Sequence, residues 1–271
     1  MYFDVKGKQV FATTGGKPFD NTKPVVVFMA GSALDHTFWV LHARFFAFRQ
    51  FSVLCLDTPG HTNSEGPALT SIEALGDWLN DVVEALDIKN LSLVAHSQGC
   101  LVTLEYASRY PQQLRSLSLI TSGLATPVNE YLLKAARDNP AAAIGMMNSW
   151  GFDSVGHKHQ GPVPGFSMLA SGQKIMWRNA PDELATDLNA CNNYQNGKVA
   201  AAAIQCPVQV IIAGKDRMAP AKATAELVEH LPDPQVARIA DSGHMLPIEA
   251  PNRCRALLKD FIFSNNPASQ A

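Results

Sequence analysis

The chain has 271 residues, of which 46% are hydrophobic and 17% are charged, so it has enough apolar side chains to bury one large core. Its 22 Lys and Arg residues almost balance its 24 Asp and Glu residues, and this balance argues against nucleic acid or an anionic membrane as a partner. The five cysteines are far apart and form no C-x-x-C pair, which argues against a zinc cage and a disulfide framework.

The N-terminus indicates a compartment. Residues 1–6 read MYFDVK and lack the cationic start and the apolar stretch of a signal peptide. No later run approaches the ~20 apolar residues that are needed to span a bilayer. We therefore expect a cytoplasmic protein with no membrane partner, whose oligomeric state the sequence leaves open.

Short apolar runs alternate with amphipathic segments along most of the chain. At the N-terminus, Tyr2–Val5 and Val10–Thr14 predict an antiparallel edge hairpin. Apolar residues at helical spacing predict helices over Ser71–Leu86 and Gln98–Arg109. Nearly continuous apolar runs predict strands that are buried on both faces of a parallel sheet, and these runs are Pro24–Ala30, Phe51–Leu56, Leu91–Ala95, Leu114–Ile120 and Pro207–Ala213. The alternation predicts an α/β fold, with helices on both faces of a mostly parallel sheet.

The pattern changes between residues 127 and 200. This segment has no clear buried strand, and its Met and Trp residues lie among Gly and Pro breaks such as the stretch Gly161–Gly165. The α/β alternation resumes at Pro207. We therefore predict a helical cap at residues 127–200, inserted into a core that consists of residues 1–126 and 201–271.

The pentapeptide Ala95-His96-Ser97-Gln98-Gly99 joins a predicted strand to a predicted helix. A serine in this position is typical of a nucleophile elbow, in which a strained turn lifts the Oγ atom clear of the sheet. The turn needs small residues two positions before and after the serine, and both Ala95 and Gly99 are small, although the first is more often Gly. The sequence therefore predicts that Ser97 is a nucleophile.

Two further motifs occur in the same order as in a known family. Phe28–Trp39 resembles the oxyanion loop of the α/β-hydrolase superfamily, with Ala30 where a His is common. Asp57–Ser64 resembles its Asp-x-Pro-Gly-x-Gly-x-Ser loop, with Thr62 in place of the second Gly. Together with the elbow, these motifs resemble the capped branch of small esterases, lactonases and carbon–carbon bond hydrolases. The resemblance implies an α/β-hydrolase fold over nearly the whole chain.

A serine nucleophile requires a base, and the base requires a partner that fixes its tautomer. Ser97, Asp216 and His244 occur in the order nucleophile, acid and base that this fold uses. Asp241 is a rival acid, but it lies only three residues before His244, whereas the acid normally comes from a separate strand end. We therefore predict Ser97, Asp216 and His244 as the catalytic residues.

The resemblance also implies an oxyanion hole and a covered pocket. In this fold the donors are the backbone N–H after the nucleophile and one from the loop after the third strand, which correspond to Gln98 and Ser32. Apolar side chains would cover the nucleophile. The predicted pocket residues are Trp39, Met146, Trp150, Phe166 and Trp177. A competing interpretation is that most of them pack inside the cap.

These features predict hydrolysis of a small, largely apolar carbonyl substrate, such as an ester, a lactone or a C–C bond, through an acyl-Ser97 intermediate. No metal or organic cofactor is implied. Dehalogenases and epoxide hydrolases of the superfamily carry Asp at the elbow, so the serine disfavours both activities. A cofactor-free dioxygenase or lyase that uses the His as a base remains an alternative, and a non-catalytic receptor for a small molecule is a third hypothesis.

Overall fold

The computed structural model describes residues 1–154, 164–165, 167–179 and 181–266. Eight strands form one sheet in the order β1-β2-β4-β3-β5-β6-β7-β8. The strands are β1 (Tyr2–Val5), β2 (Lys8–Thr13), β3 (Val25–Met29), β4 (Ser52–Leu56), β5 (Leu91–His96), β6 (Leu114–Ile120), β7 (Val208–Ala213) and β8 (Gln235–Ile239). The N-terminal hairpin pairs antiparallel, and β3 to β8 are parallel to one another. The predicted α/β fold with a mostly parallel sheet is therefore confirmed.

Helices connect the strands. They are α1 (Val40–Ala47), α2 (Ile72–Ala85), α3 (Gln98–Arg109), α4 (Glu130–Asp138), α5 (Pro140–Gly151), α6 (Met168–Arg178), α7 (Pro181–Asn193), α8 (Gly197–Ala202), α9 (Ala221–His230), α10 (Leu246–Glu249) and α11 (Pro251–Ser264), with a short 3₁₀ helix at His36–Trp39. None of the helices among these described residues combines the length and the apolar character that crossing a bilayer requires.

The strand residues build two cores, one on each face of the sheet. Because successive side chains of a strand point to opposite faces, Val25 and Val27 join one cluster while Val26 and Phe28 join the other. The first cluster includes the apolar faces of α2 and α3, and the second includes those of α1 and α11. Burial on both faces explains why β3 is a continuous apolar run.

The segment predicted as a cap, residues 127–200, contains α4 to α8 and no strand among its described residues. Apolar residues of α4 to α7 such as Leu133, Met147 and Leu184 belong to the second cluster. Helix α7 contributes to both clusters, since its Ala190 and Cys191 lie in the first. Ala200 and Ala201 of α8 are buried in the first cluster with α3. The expected boundary at residue 200 therefore falls inside a helix that packs on the core.

Candidate active site

Ser97 stands alone between the end of β5 and the start of α3. Its backbone has a positive φ of 53° with a ψ of −120°, a sparsely populated conformation that costs a non-glycine residue roughly 1–3 kcal/mol. Gly99 is required by close packing, because a Cβ atom there would lie 2.7 Å from the carbonyl oxygens of Met29 and Ala30. The sequence thus folds into the strained strand–turn–helix that the elbow motif predicts.

Asp216 and His244 meet because they follow the two neighbouring parallel strands β7 and β8. The Nδ1 atom of His244 lies 2.8 Å from Oδ2 of Asp216. The other carboxylate oxygen, Oδ1, accepts the backbone N–H groups of Met218 and Ala219, each at 2.8 Å. Since an ionised carboxylate only accepts, Nδ1 carries a proton, and in the neutral form of the ring Nε2 is the nitrogen with the free lone pair.

The electrostatics of this pair favour an ionised acid. Burial alone would raise the pKa of Asp216, but the facing His244 ring and the two backbone N–H donors lower it below its ordinary value. Asp241, the rival acid, has a 61% exposed side chain and pairs with Arg253 at 2.6 Å. The structure therefore brings Asp216, and not Asp241, to the histidine.

Ser97 and His244 line the same cavity, which has a volume of about 210 Å³. Leu132, Met147, Trp150 and Leu188 of the inserted helices make much of its wall apolar. Cys191 also faces the cavity. Burial raises the pKa of this thiol to about 12, so it stays protonated and does not compete with Ser97 as a nucleophile.

Of the five residues predicted to line the pocket, Trp150 is the one that lies at this cavity among the described residues. Phe166 lies outside the described residues. Trp39 is fully buried and packs its ring against Phe28 and Phe38 in the second cluster.

The structure also places the other two predicted pocket residues away from the cavity, and helix geometry gives the reason. Met147 and Trp150 are three positions apart and share the cavity face of α5, while Met146 is turned from it and packs against the second cluster. Trp177 follows the buried Met176 on α6 and is 47% exposed. Neighbouring positions on a helix therefore face different surroundings, and hydrophobic character alone does not tell which side chain faces the cavity.

Several lining residues carry no signal in the sequence pattern. Leu188 and Cys191 lie three positions apart on α7 and both face the cavity. The sequence does not reveal which side of this helix faces the end of the sheet. Arg217 is the one Lys, Arg, Asp or Glu at the cavity among the described residues, and its Nη2 donates to the carbonyl of Ser149 at 2.6 Å. Its position directly after Asp216 is the signal that was available.

The two predicted oxyanion residues flank the elbow. A Cβ atom on Gly31 would lie 3.0 Å from both the His96 ring and the Ser97 Cβ, so glycine lets the loop after β3 approach the nucleophile closely. Ser32 follows it and lines the cavity. Gln98 is the first residue of α3, where backbone N–H groups have no acceptor within the helix.

The side chain of His96 binds the backbone of His244. Its Nε2 donates to the carbonyl of His244 at 2.9 Å, and the Thr121 hydroxyl donates to the same oxygen at 3.2 Å. Burial, together with the nearby His244, lowers the pKa of His96 to about 3, so this ring is neutral and acts as a fixed donor.

We expect this buried neutral ring to make stability depend on pH. Its pKa in the unfolded chain is ~6.5, so acid stabilises the unfolded state, and the His96 contribution to the unfolding free energy falls by about 2 kcal/mol between pH 7 and pH 5. Urea unfolding of His96→Gln, which keeps a donor, should show a correspondingly smaller loss than the wild type. Parallel pH dependences in the two proteins would contradict this assignment.

Asp35, His36 and Asp57 place three ligand-type atoms within 4.8 Å of one another. Their contacts are already internal to the protein: His36 Nδ1 lies 2.8 Å from Asp57 Oδ1, and Asp35 accepts Thr37 and the Arg178 guanidinium. Because the arginine already supplies a positive charge, we interpret this cluster as support for the loop after β3.

The model of the alpha/beta hydrolase fold family matches residues 24–251, and the chain therefore belongs to that family. It is 24% identical over 246 residues to "Putative carbamate hydrolase RutD" of Escherichia coli O81 (strain ED1a), a match that covers 87% of this chain and 90% of that protein.

Solved structures are similar over nearly the whole chain. The enol-lactonase from Burkholderia xenovorans LB400 superposes with a TM-score of 0.86 at 21% identity, covering 97% of this chain and 99% of the lactonase. A thermophilic esterase from Thermogutta terrifontis superposes with a TM-score of 0.83 at 18% identity, covering 98% of each chain. At such identities the likeness establishes the fold alone.

Proposed function

We propose that this protein is a serine hydrolase that cleaves a small, largely apolar carbonyl substrate through a covalent acyl-Ser97 intermediate. The observation that carries the proposal is the 2.8 Å contact between His244 and Asp216 beside a cavity that Ser97 and His244 both line. A serine hydroxyl becomes a nucleophile when a histidine accepts its proton and a carboxylate orients that histidine.

In the first half-reaction, Nε2 of His244 takes the proton of Ser97 while Oγ attacks the carbonyl carbon. The N–H groups of Ser32 and Gln98 donate to the oxyanion of the tetrahedral intermediate. Asp216 stabilises the imidazolium, and its lowered pKa keeps it ionised for this role. The imidazolium then protonates the leaving group, and water repeats the sequence on the acyl-serine.

The walls of the cavity support the proposal that the substrate is largely apolar, because Leu, Met and Trp side chains of α4, α5 and α7 face the cavity. The similar proteins support the proposal that the substrate contains a carbonyl group, because their names mention a carbamate hydrolase, an enol-lactonase and an esterase. Esters and lactones are therefore the first substrates to test. Cleavage of a C–C bond next to the attacked carbonyl is compatible with the same residues, provided that a second carbonyl group of the substrate stabilises the carbanion that leaves and His244 protonates it.

A serine-directed fluorophosphonate tests the covalent step. We expect its mass on the peptide that contains Ser97, because the elbow exposes Oγ to the cavity and His244 activates it. Ser97→Ala should lose the label. Mass spectrometry of both proteins after digestion makes the comparison, and labelling of another residue with Ser97 unmodified would refute the proposed nucleophile.

Turnover of short-chain p-nitrophenyl esters and of small lactones, followed together with dissolved oxygen, separates the rival functions. A hydrolase releases acid and alcohol without oxygen uptake. Oxygen consumption with an aromatic substrate would support the dioxygenase alternative, and tight binding without any product would support a receptor.

The cavity walls predict which substitutions change substrate preference. Trp150→Ala and Leu188→Ala enlarge the site, and since one methylene in an apolar pocket is worth about 1–3 kcal/mol of discrimination, we expect the ranking of kcat/KM over acyl chain lengths to shift by about tenfold or more. Trp177→Ala and Met146→Ala are matched controls outside the cavity. An unchanged ranking in the first pair would show that α5 and α7 do not set specificity.

A further inference from the structure

A buried ion pair joins the loop after β4 to helix α7. Nε2 of His61 lies 3.0 Å from Oδ2 of Asp187, and Nδ1 of His61 donates to the carbonyl of Pro59 at 3.1 Å. Both ring nitrogens face acceptors, so both carry protons. Burial alone would lower the pKa of His61, but the charge and hydrogen bond of Asp187 raise it to about 9. His61 is therefore positively charged, and the side chains of the two residues are only 3% and 4% exposed.

Asp187 contacts the oxyanion loop as well. Its Oδ2 also accepts the backbone N–H of Ala33 at 2.8 Å, and Ala33 is the residue after Ser32. Its own carbonyl accepts the side-chain Nε2 of Gln98 at 3.3 Å. One residue of α7 thus reaches both segments that supply the proposed oxyanion donors.

The carbonyl group of Ala33 is also bound by a side chain. Nδ2 of Asn179, which follows α6, donates to the carbonyl of Ala33 at 2.6 Å, and the Thr62 hydroxyl donates to Oδ1 of Asn179 at 2.8 Å. His61 and Thr62 are adjacent and each supports one of the two side chains. We call Asp187, Asn179, His61 and Thr62 the Ala33 clamp.

The clamp acts on a residue that needs support. Ala33 has a φ of 55°, a left-handed conformation that a non-glycine residue keeps only when its surroundings fix it. The turn that contains it is closed by the Leu34 N–H, which donates to the Gly31 carbonyl at 3.1 Å, and the Asp187 and Asn179 side chains add a partner for each backbone polar group of Ala33. The clamp thus holds both backbone polar groups of the residue that follows Ser32.

The charge of the pair also has a physical reason. A carboxylate is a stronger acceptor for the Ala33 N–H than an amide oxygen, but an unpaired negative charge beside an oxyanion hole would oppose the charge that develops there. His61 supplies the compensating positive charge. The pair can then hold the loop without placing net negative charge next to the reaction.

We propose that Asp187, with His61 as its counter-ion and Asn179 as its partner on the opposite side, is a positioning residue that orients the Ser32 N–H toward the oxyanion. This proposal rests on the proposed function. It assigns the inserted helices a second task beyond lining the cavity, because both Asp187 and Asn179 come from residues 127–200.

Asp187→Ala tests the clamp. We expect kcat to fall about 10²-fold, the loss that follows when an oxyanion donor is misplaced or removed, while KM changes by less than about threefold because the ground state depends less on this donor. A trifluoromethyl ketone, which forms a tetrahedral adduct with the serine, should bind correspondingly more weakly. Asp187→Asn keeps an acceptor for Ala33 and should retain most of the kcat.

Leu184→Ala is the matched control, because Leu184 is buried on the same helix without lining the cavity. It should lower Tm and leave kcat unchanged. The clamp is refuted if Asp187→Ala lowers Tm as this control does with a normal kcat, or if Asp187→Asn loses as much kcat as Asp187→Ala.

Two further measurements keep the result decisive. If Asp187→Ala does not fold, Asn179→Ala must lower kcat by about tenfold or more relative to Leu184→Ala, and a normal kcat overturns the proposal. Fluorophosphonate labelling of the wild type is measured alongside. Its absence would refute the proposed function itself, whereas normal labelling with an unaffected variant would refute the clamp alone.

Discussion

Ser97→Ala is expected to lower kcat by about 10⁴-fold or more on any ester that the wild type hydrolyses. The substitution removes the attacking oxygen, so only substrate binding and oxyanion stabilisation remain. The expected effect on folding is small, because alanine keeps the Cβ atom in the same strained turn and removes only the hydroxyl group. Steady-state kinetics together with circular dichroism of both proteins make the measurement.

The same variant discriminates between the classes of enzyme. A dioxygenase or lyase that uses His244 only as a base has little need of the hydroxyl, so turnover would persist in Ser97→Ala. Retained activity would therefore exclude an acyl-enzyme mechanism, even if the fluorophosphonate modifies Ser97 in the wild type.

Asp216→Asn is expected to reduce kcat by a similar factor, about 10⁴-fold. The backbone N–H groups of Met218 and Ala219 already bind one carboxylate oxygen, so the asparagine would turn its oxygen toward them and its NH₂ toward His244. That NH₂ donates to Nδ1 and places the proton on Nε2, where it prevents the ring from accepting the serine proton. The charge that stabilises the imidazolium is lost as well.

Asp241→Asn is the matched control for this prediction. Asp241 is exposed and pairs with Arg253 rather than with His244, so we expect kcat to stay within about twofold of the wild type. Kinetics of the two variants at the same pH give the ranking. A larger loss in Asp241→Asn would move the acid role to that residue.

The buried strands were predictable because a strand that is covered on both faces consists almost entirely of apolar residues. β3 and β4 are buried at every position, and each coincides with an apolar run. β8 lies at the edge of the sheet and exposes most of its residues, so no such run marks it. Edge strands are therefore harder to recognise from composition than central ones.

The meeting of Asp216 with His244 was predictable from chain order, because the carboxyl ends of parallel strands collect at one edge of the sheet. The cavity wall was not. Trp39 packs in the core and Trp150 lines the cavity, although the two side chains are equally hydrophobic, so residue type alone does not distinguish them. The His61 and Asp187 contact joins residues 126 positions apart, and no periodic pattern signals it.

The placement of α8 has a consequence for how such a chain can change. A parallel connection from β6 to its neighbour β7 needs one crossover helix, and α8, which packs against α3, already provides it. Helices α4 to α7 are surplus to that connection, so a chimera that exchanges them for other helices should preserve the sheet. It would also lose Asp187 and Asn179 unless the donor segment brings equivalents. Under the proposed function and the proposed clamp, such a chimera would therefore change substrate range and catalytic rate together.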